Sequence, residues 1–316
     1  MKGLAFIWDW EIVPSQAITW EDGLARAIQI LGEKYDVRVY TIGKMTYDFP
    51  HPYFNIRVCT NESLMSDLKD FSPDALLFWG DTTRPNAEPA SKLGIPMALC
   101  FAGGETNGGT AQYFQYIFVE SEVYKPGFMK RGIPVSTAFG TNTELFRPVK
   151  DQSKLFDTIF PATFAIWKRH ELYAEATKGL CSLACGYMYD THEQECWQVC
   201  LDNGVTILPH VSAQTLRYLY AASKVCVIPS RSDGGSQRTV LEAMAMNIPL
   251  VVTDSDKFDY TEGRSYVAEP NVVDLGVRID EALASYSECN TRDYVLQNWS
   301  EYNYADALEK GLLSIC

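Results

Sequence analysis

The chain has 316 residues, 47% of them hydrophobic and 21% charged, with a formal net charge of −13. That length exceeds one ordinary core and suits two domains of about 150 residues each, and the apolar fraction excludes a disordered chain. The negative charge repels nucleic acid and anionic membrane surfaces; the longest basic cluster, Lys168-Arg169-His170, suffices for one small anion and not for a duplex.

No apolar run approaches the roughly 20 residues of a membrane-spanning helix, and the start, "MKGLAFIWDW", turns acidic too early for a secretory signal. A cytoplasmic protein is expected. Nine cysteines, an odd number without mini-protein spacing, fit reduced thiols, and the sequons at Asn61 and Asn298 are then chance matches.

In chain order, "LAFIWD" (4–9) predicts a buried strand, "WEDGLARAIQILGEKY" (20–35) an amphipathic helix and "DVRVYTIG" (36–43) a second strand; "DALLFWGD" (74–81) and "IPMALCFAGG" (95–104) follow as strands. The polar "KDQSK" (150–154) is the candidate linker, after which the pattern restarts. Strands at "LFDTIFPATF", "LCSLACGY", "VTILPHV", "VCVIPS" and "PLVVTD" alternate with helices at "RHELYAEATKGL", "HEQECWQVCLDN", "AQTLRYLYAAS" and "QRTVLEAMAM". Alternation at this spacing predicts an α/β protein with parallel sheets covered by helices, in two doubly wound halves facing each other. Ligands of such sheets bind beyond the carboxyl ends of the strands.

The loop "RSDGG" joins the strand "VCVIPS" to the helix 237–246, with Ser236 as N-cap and Asn247 able to take the left-handed conformation before Pro249. The free N–H groups at that helix start make an anion site, and Gly234 and Gly235 allow close backbone approach. Glu242 stands in the oily run from Val240 to Met246. Periodicity leaves two readings: an exposed stripe on a half-buried helix, or a buried carboxylate that vicinal sugar hydroxyls compensate.

"DGGSQRTVLEAMAMNIPLVVTD" resembles the retaining GT-B glycosyltransferases of the family 4 type, whose hallmark is a glutamate, seven residues, then Glu-Ala-Met-Ala, a small residue and Pro. The resemblance implies two Rossmann-like domains around a central cleft, and a nucleoside-diphosphate sugar as donor with no further cofactor. It implies that Glu242 binds the ribose and that backbone amides of Ser236, Gln237, Arg238 and Thr239 hold the diphosphate. The family's first glutamate falls on Gly234, and Asp233, one place early, is either its replacement at the donor sugar or a turn residue. "IFPATFAIWKRHELYAEA" resembles the family's phosphate-binding loop, with Lys168 on the lysine and Thr163 where arginine is expected; Arg169 or Arg238 could substitute. Without the resemblance, Lys168 is a surface lysine opening a helix.

"VTILPHV" resembles the stretch whose loop, here Pro209, His210 and Val211, contacts the base. Gly140, Asn142, Phe146 and Pro148 fill the family's exit from the first domain, and the resemblance implies an acceptor domain at 1–149 and a nucleotide-sugar-binding domain at 150–298, with a C-terminal helix of about 299–316 crossing back onto the first. The family's first-domain histidine has no counterpart in "AGGETNGG", where Gly103 and Gly104 permit close backbone approach to the donor or form a turn.

The resemblance thus implies a retaining, metal-independent glycosyltransferase with an unknown acceptor (glycan, lipid-linked sugar, protein or small molecule). The alternatives are a GT-B protein that binds nucleotide-sugar without transfer, or a GT-B epimerase or hydrolase. The displaced carboxylate at Asp233, the absent arginine at position 163 and the absent histidine favour the first alternative. Asp254-Ser255-Asp256 is read as a loop rather than a metal site, and the four histidines are not grouped for a metal. Cys181, Cys185, Cys196 and Cys200 are read as structural, and Trp8, Trp10 and Trp20 as core, rim or acceptor groove.

Overall fold

In the computed structural model, residues 1–11, 21–187, 193–209, 211–231, 237–253 and 256–316 are described, with only the backbone for Trp10, Glu11, Glu193, Asp256 and Lys257. The chain divides into two units, Met1–Gly140 with Glu301–Cys316, and Thr141–Ser300.

In unit 1, strand alternation builds two cores on one sheet. Of strand β1 (Gly3–Glu11), Leu4 and Phe6 face one way, with Leu24, Ile28 and Leu31 of helix α1 (Gly23–Gly32) and Leu308 and Leu312 of the last helix. Ala5 and Ile7 face the other, with Leu64 and Leu68 of helix α2 (Asn61–Phe71). The remaining strands are β2 (Asp36–Ile42), β3 (Tyr47–Pro50), β4 (Asn55–Cys59), β5 (Ala75–Gly80), β6 (Met97–Phe101), β7 (Tyr116–Val119) and β8 (Val135–Thr137). Their order is β3-β4-β2-β1-β5-β6-β7-β8, and all pairs are parallel except the hairpin β3–β4. Helices cover both faces, as the strand–helix alternation predicts. The hairpin is absent from that reading because its first strand, "YDFP", is a short, mostly exposed edge strand ending in proline.

Unit 2 has six parallel strands, β9 (Phe156–Pro161), β10 (Ser182–Gly186), β11 (Thr206–Pro209), β12 (Ser223–Ile228), β13 (Leu250–Thr253) and β14 (Tyr266–Ala268), in the order β11-β10-β9-β12-β13-β14. Unit 1 also holds two short helices, α3 (Ala87–Ser91) after β5 and α4 (Lys125–Met129) after β7, and unit 2 has, among the described residues, six α-helices between His170 and Asn298. Residues 141–149, which the sequence reading gives to the first domain, lie in unit 2. The guanidinium of Arg292 pins them there, donating to Thr143 O (3.0 Å), Phe146 O (2.8 Å) and Ala245 O (2.8 Å). The segment 150–154 is likewise held in unit 2, Lys154 Nζ donating to Ala221 O at 2.9 Å and Ser223 O at 2.8 Å.

Among the described residues no helix is long and apolar enough to cross a membrane. All nine cysteines are free thiols; Cys185, Cys196 and Cys200 are buried, whereas Cys181, read with them as structural, is exposed because it precedes β10.

Candidate active site

The strand order of unit 2 fixes where a ligand belongs. From β9 the chain moves outward through β10 and β11, then returns to the other side of β9 with β12, so the sheet reverses its winding between β9 and β12. The crevice beyond the carboxyl ends of those two strands is the expected binding place. Two segments meet there. After β9 the chain makes a single 3₁₀ turn, Ile166–Lys168; after β12 it runs through Pro229, Ser230 and Arg231 to Gln237. The backbone N–H of Arg231 donates to Trp167 O at 2.9 Å, and Lys168 Nζ donates to Gln237 Oε1 at 2.6 Å. Two residues 69 positions apart are thereby brought into contact.

Lys168 is 9% exposed and is not a surface lysine. Arg169 directly after it has φ 58° and ψ 53°, a left-handed conformation that costs a non-glycine residue about 1–3 kcal/mol. That residue ends the 3₁₀ turn and opens helix α5 (His170–Ala176). Gly186, at the end of β10, lets the loop lie close: a Cβ there would sit 1.8 Å from Ala162 O.

Helix α8 (Arg238–Ala245) starts one residue later than the sequence predicts. Its N-cap is Gln237, in an extended conformation and without a side-chain cap bond, because that amide oxygen faces the Lys168 ammonium instead. Tyr260 Oη donates to Gln237 O at 3.3 Å and steadies the same residue. The helix ends as expected, with Asn247 at φ 55°.

Glu242 is 6% exposed, so the exposed-stripe reading does not describe it. Tyr220 of helix α7 (Ala213–Ala221) donates its hydroxyl to Glu242 Oε2 at 3.1 Å. The carboxylate marks its surroundings: burial first, and then the Glu242 charge, push the Cys185 thiol up to about 12 and the Tyr220 hydroxyl well above its ordinary range. Tyr220 was not among the residues singled out from sequence, since in "AQTLRYLYAAS" it reads only as part of an apolar stripe.

Two hydroxyls in the same segments lack partners among the described residues. Ser230 Oγ and Thr239 Oγ1, on either side of positions 232–236, are buried without a hydrogen bond. Buried polar atoms of this kind cost about 1–3 kcal/mol when unmet, and a ligand offering oxygen atoms would meet them. Of the other expected site residues, Arg238 is partly buried, and Pro209 and Val211 flank the carboxyl end of β11 in the same sheet. Gly103 and Gly104 belong to unit 1, after β6, at φ 100° and 101°. Asp233, Gly234, Gly235, Ser236 and His210 lie outside the described residues, as do Asp254 and Ser255.

His170, two residues after the lysine, is fully buried, with neither ring nitrogen hydrogen-bonded among the described residues. Its ring stacks on Phe164 (4.6 Å, 22°) and tilts against Phe160 (4.7 Å). Burial, and secondarily the Lys168 charge, lower its pKa from 6.5 to about 3. The unfolded chain therefore holds the extra proton between those values, so the stability of neutral His170 is complete above pH 6.5 and lost as pH falls toward 3. His170→Phe is expected to flatten the acid side of the stability profile by up to about 1.4 kcal/mol per pH unit. Urea unfolding of both proteins at pH 7 and pH 5 measures this; identical losses on acidification would contradict it.

Residues 170–285, all in unit 2, match the family described as Glycosyl transferases group 1. Among solved structures, a sucrose-phosphate synthase from Thermosynechococcus elongatus is 16% identical with a TM-score of 0.75, covering 100% of both chains. HepE from Anabaena, in complex with UDP and glucose, is 14% identical with a TM-score of 0.78, over 99% of this chain and 100% of that one. An α,α-trehalose-phosphate synthase (UDP-forming) from Burkholderia vietnamiensis is 11% identical with a TM-score of 0.72, over 100% of this chain and 98% of that one. No curated protein matches the sequence. At these identities the likeness is one of fold, and the fold is GT-B with two Rossmann-like domains. Residues 170–285 are thus a Glycosyl transferases group 1 domain, carried on a chain of GT-B fold.

Proposed function

We propose that the chain moves a hexosyl group from a nucleoside-diphosphate sugar to an acceptor hydroxyl, with retention at the anomeric carbon and without a metal ion. The supporting observation is the meeting of Lys168 with Gln237 at the switch point of unit 2, next to the start of α8. When the bond between the anomeric carbon and the diphosphate breaks, negative charge grows on the departing phosphate oxygen. A fixed ammonium and a helix N-terminus stabilise that charge with little reorganisation. Ser230 and Thr239 offer further donors, and Glu242, about one turn into the helix, accepts from the ribose hydroxyls. Retention and metal independence rest on the family resemblance. A cytoplasmic location goes with this reading, as do nine free thiols.

The test is thermal unfolding with UDP-, GDP-, ADP-, CDP- and TDP-glucose. A ligand of the folded state stabilises it by about 2.7 kcal/mol at a hundredfold excess over Kd. HepE was solved with UDP and with UDP-glucose, which makes UDP the base to try first. A rise in Tm with one base is expected; no rise with any of them would sink the donor reading.

A further inference from the structure

A carboxylate as buried as Glu242 is costly unless donors hold it. Tyr220 supplies one from a neighbouring helix. It stands in the last turn of α7, which leads into β12, and α8 is the helix after that strand. Helix side chains lean toward the N-terminus, so the phenol reaches back from the end of α7 to the first turns of α8, where its oxygen lies 3.2 Å from Thr239 O and 3.1 Å from Glu242 Oε2.

One phenol carries one proton, and of two acceptors within reach the charged one takes it. The side chain has no other exit. Tyr220 is 0% exposed, and Phe146 meets its ring edge-on at 6.0 Å with 84° between the planes. Burial first, and then the Glu242 charge, raise the hydroxyl well above its ordinary range, so it stays a donor throughout neutral pH.

Glutamate is among the side chains with the most rotamer freedom to lose on burial. A bond from a buried, immobile hydroxyl to Oε2 restricts that freedom and sets the plane of the carboxylate. A set plane can meet two neighbouring hydroxyls together, and it discriminates: a ligand that lacks one of them leaves part of the buried carboxylate unmet. A carboxylate free to turn would follow the hydroxyl that remains and discriminate less.

We propose that Tyr220 is a positioning residue: its hydroxyl orients the Glu242 carboxylate toward the adjacent 2′- and 3′-hydroxyls of a ribonucleotide and thereby sets the preference over a 2′-deoxyribonucleotide. The proposal rests on the assignment of Glu242 to the ribose in the reading above. Tyr220 acts through Glu242 and does not touch the ligand.

The test is calorimetric titration of UDP and of 2′-deoxy-UDP into the wild-type protein and Tyr220→Phe, with circular dichroism to confirm folding. The wild type is expected to bind UDP about tenfold or more tighter than the deoxy form. The variant keeps the ring and loses only the hydroxyl. It is expected to bind UDP about tenfold more weakly and 2′-deoxy-UDP less than about threefold more weakly, so that the ratio between them shrinks by about threefold or more. A merely structural tyrosine would weaken both alike, and an unchanged ratio in the folded variant overturns the proposal. If Tyr220→Phe does not fold, Phe146→Leu loosens the ring while keeping the hydroxyl, and a narrower ratio is again expected, an unchanged one again being fatal. A wild type that binds both nucleotides equally, or neither, removes the ribose assignment itself and this proposal with it, whereas a wild-type preference that Tyr220→Phe leaves intact removes the proposal alone.

Discussion

Lys168→Ala is expected to cut turnover by about 10²–10³-fold, the usual effect of deleting one preorganised donor at a developing oxyanion. The side chain is buried, and its ammonium stands 2.6 Å from a neutral amide oxygen, Gln237 Oε1. A phosphate oxygen is a stronger partner for an ammonium than an amide is, so a bound diphosphate displaces Gln237. If the charge on that oxygen rises as the sugar leaves, the contact strengthens toward the transition state, and kcat falls further than donor affinity. Steady-state kinetics with the nucleotide sugar identified by thermal unfolding separates the two. A loss confined to KM, with kcat unchanged, would reduce Lys168 to a ground-state binding group.

Glu242→Ala is expected to weaken nucleoside diphosphate binding about 10–100-fold, the range for hydrogen bonds to a charged group, while the fold survives. Survival follows from the local geometry: Tyr220 Oη, which donates to Glu242, also lies 3.2 Å from Thr239 O and keeps an acceptor when the carboxylate is gone. Glu242→Gln should fall between, since it retains an oxygen but not the charge. Calorimetry on UDP checks both variants, with circular dichroism to confirm folding. Unchanged affinity in the alanine variant would dissociate Glu242 from the ribose.

The parallel sheets were legible because strand and helix patterns alternate at a regular spacing, and buried parallel strands such as "LAFIWD" read as continuous apolar runs. The β3–β4 hairpin was not, because short edge strands carry little pattern. Lys168 and Glu242 were singled out by resemblance, since nothing local distinguishes a buried lysine at a helix entrance from an exposed one. Gln237 was named only for its backbone; its side-chain bond to Lys168 depends on the order of β9 and β12, which no local pattern gives.

The last helix, α11 (Glu301–Leu313), sets a timetable for the nascent chain. Tyr304, Leu308 and Leu312 complete the core over α1, and Gly311 lets the helix settle against Phe118. These residues leave the ribosome after all of unit 2 has been made. The half that is translated first therefore keeps an uncovered oily surface until α11 has been made, exposed for longest to aggregation and to chaperones.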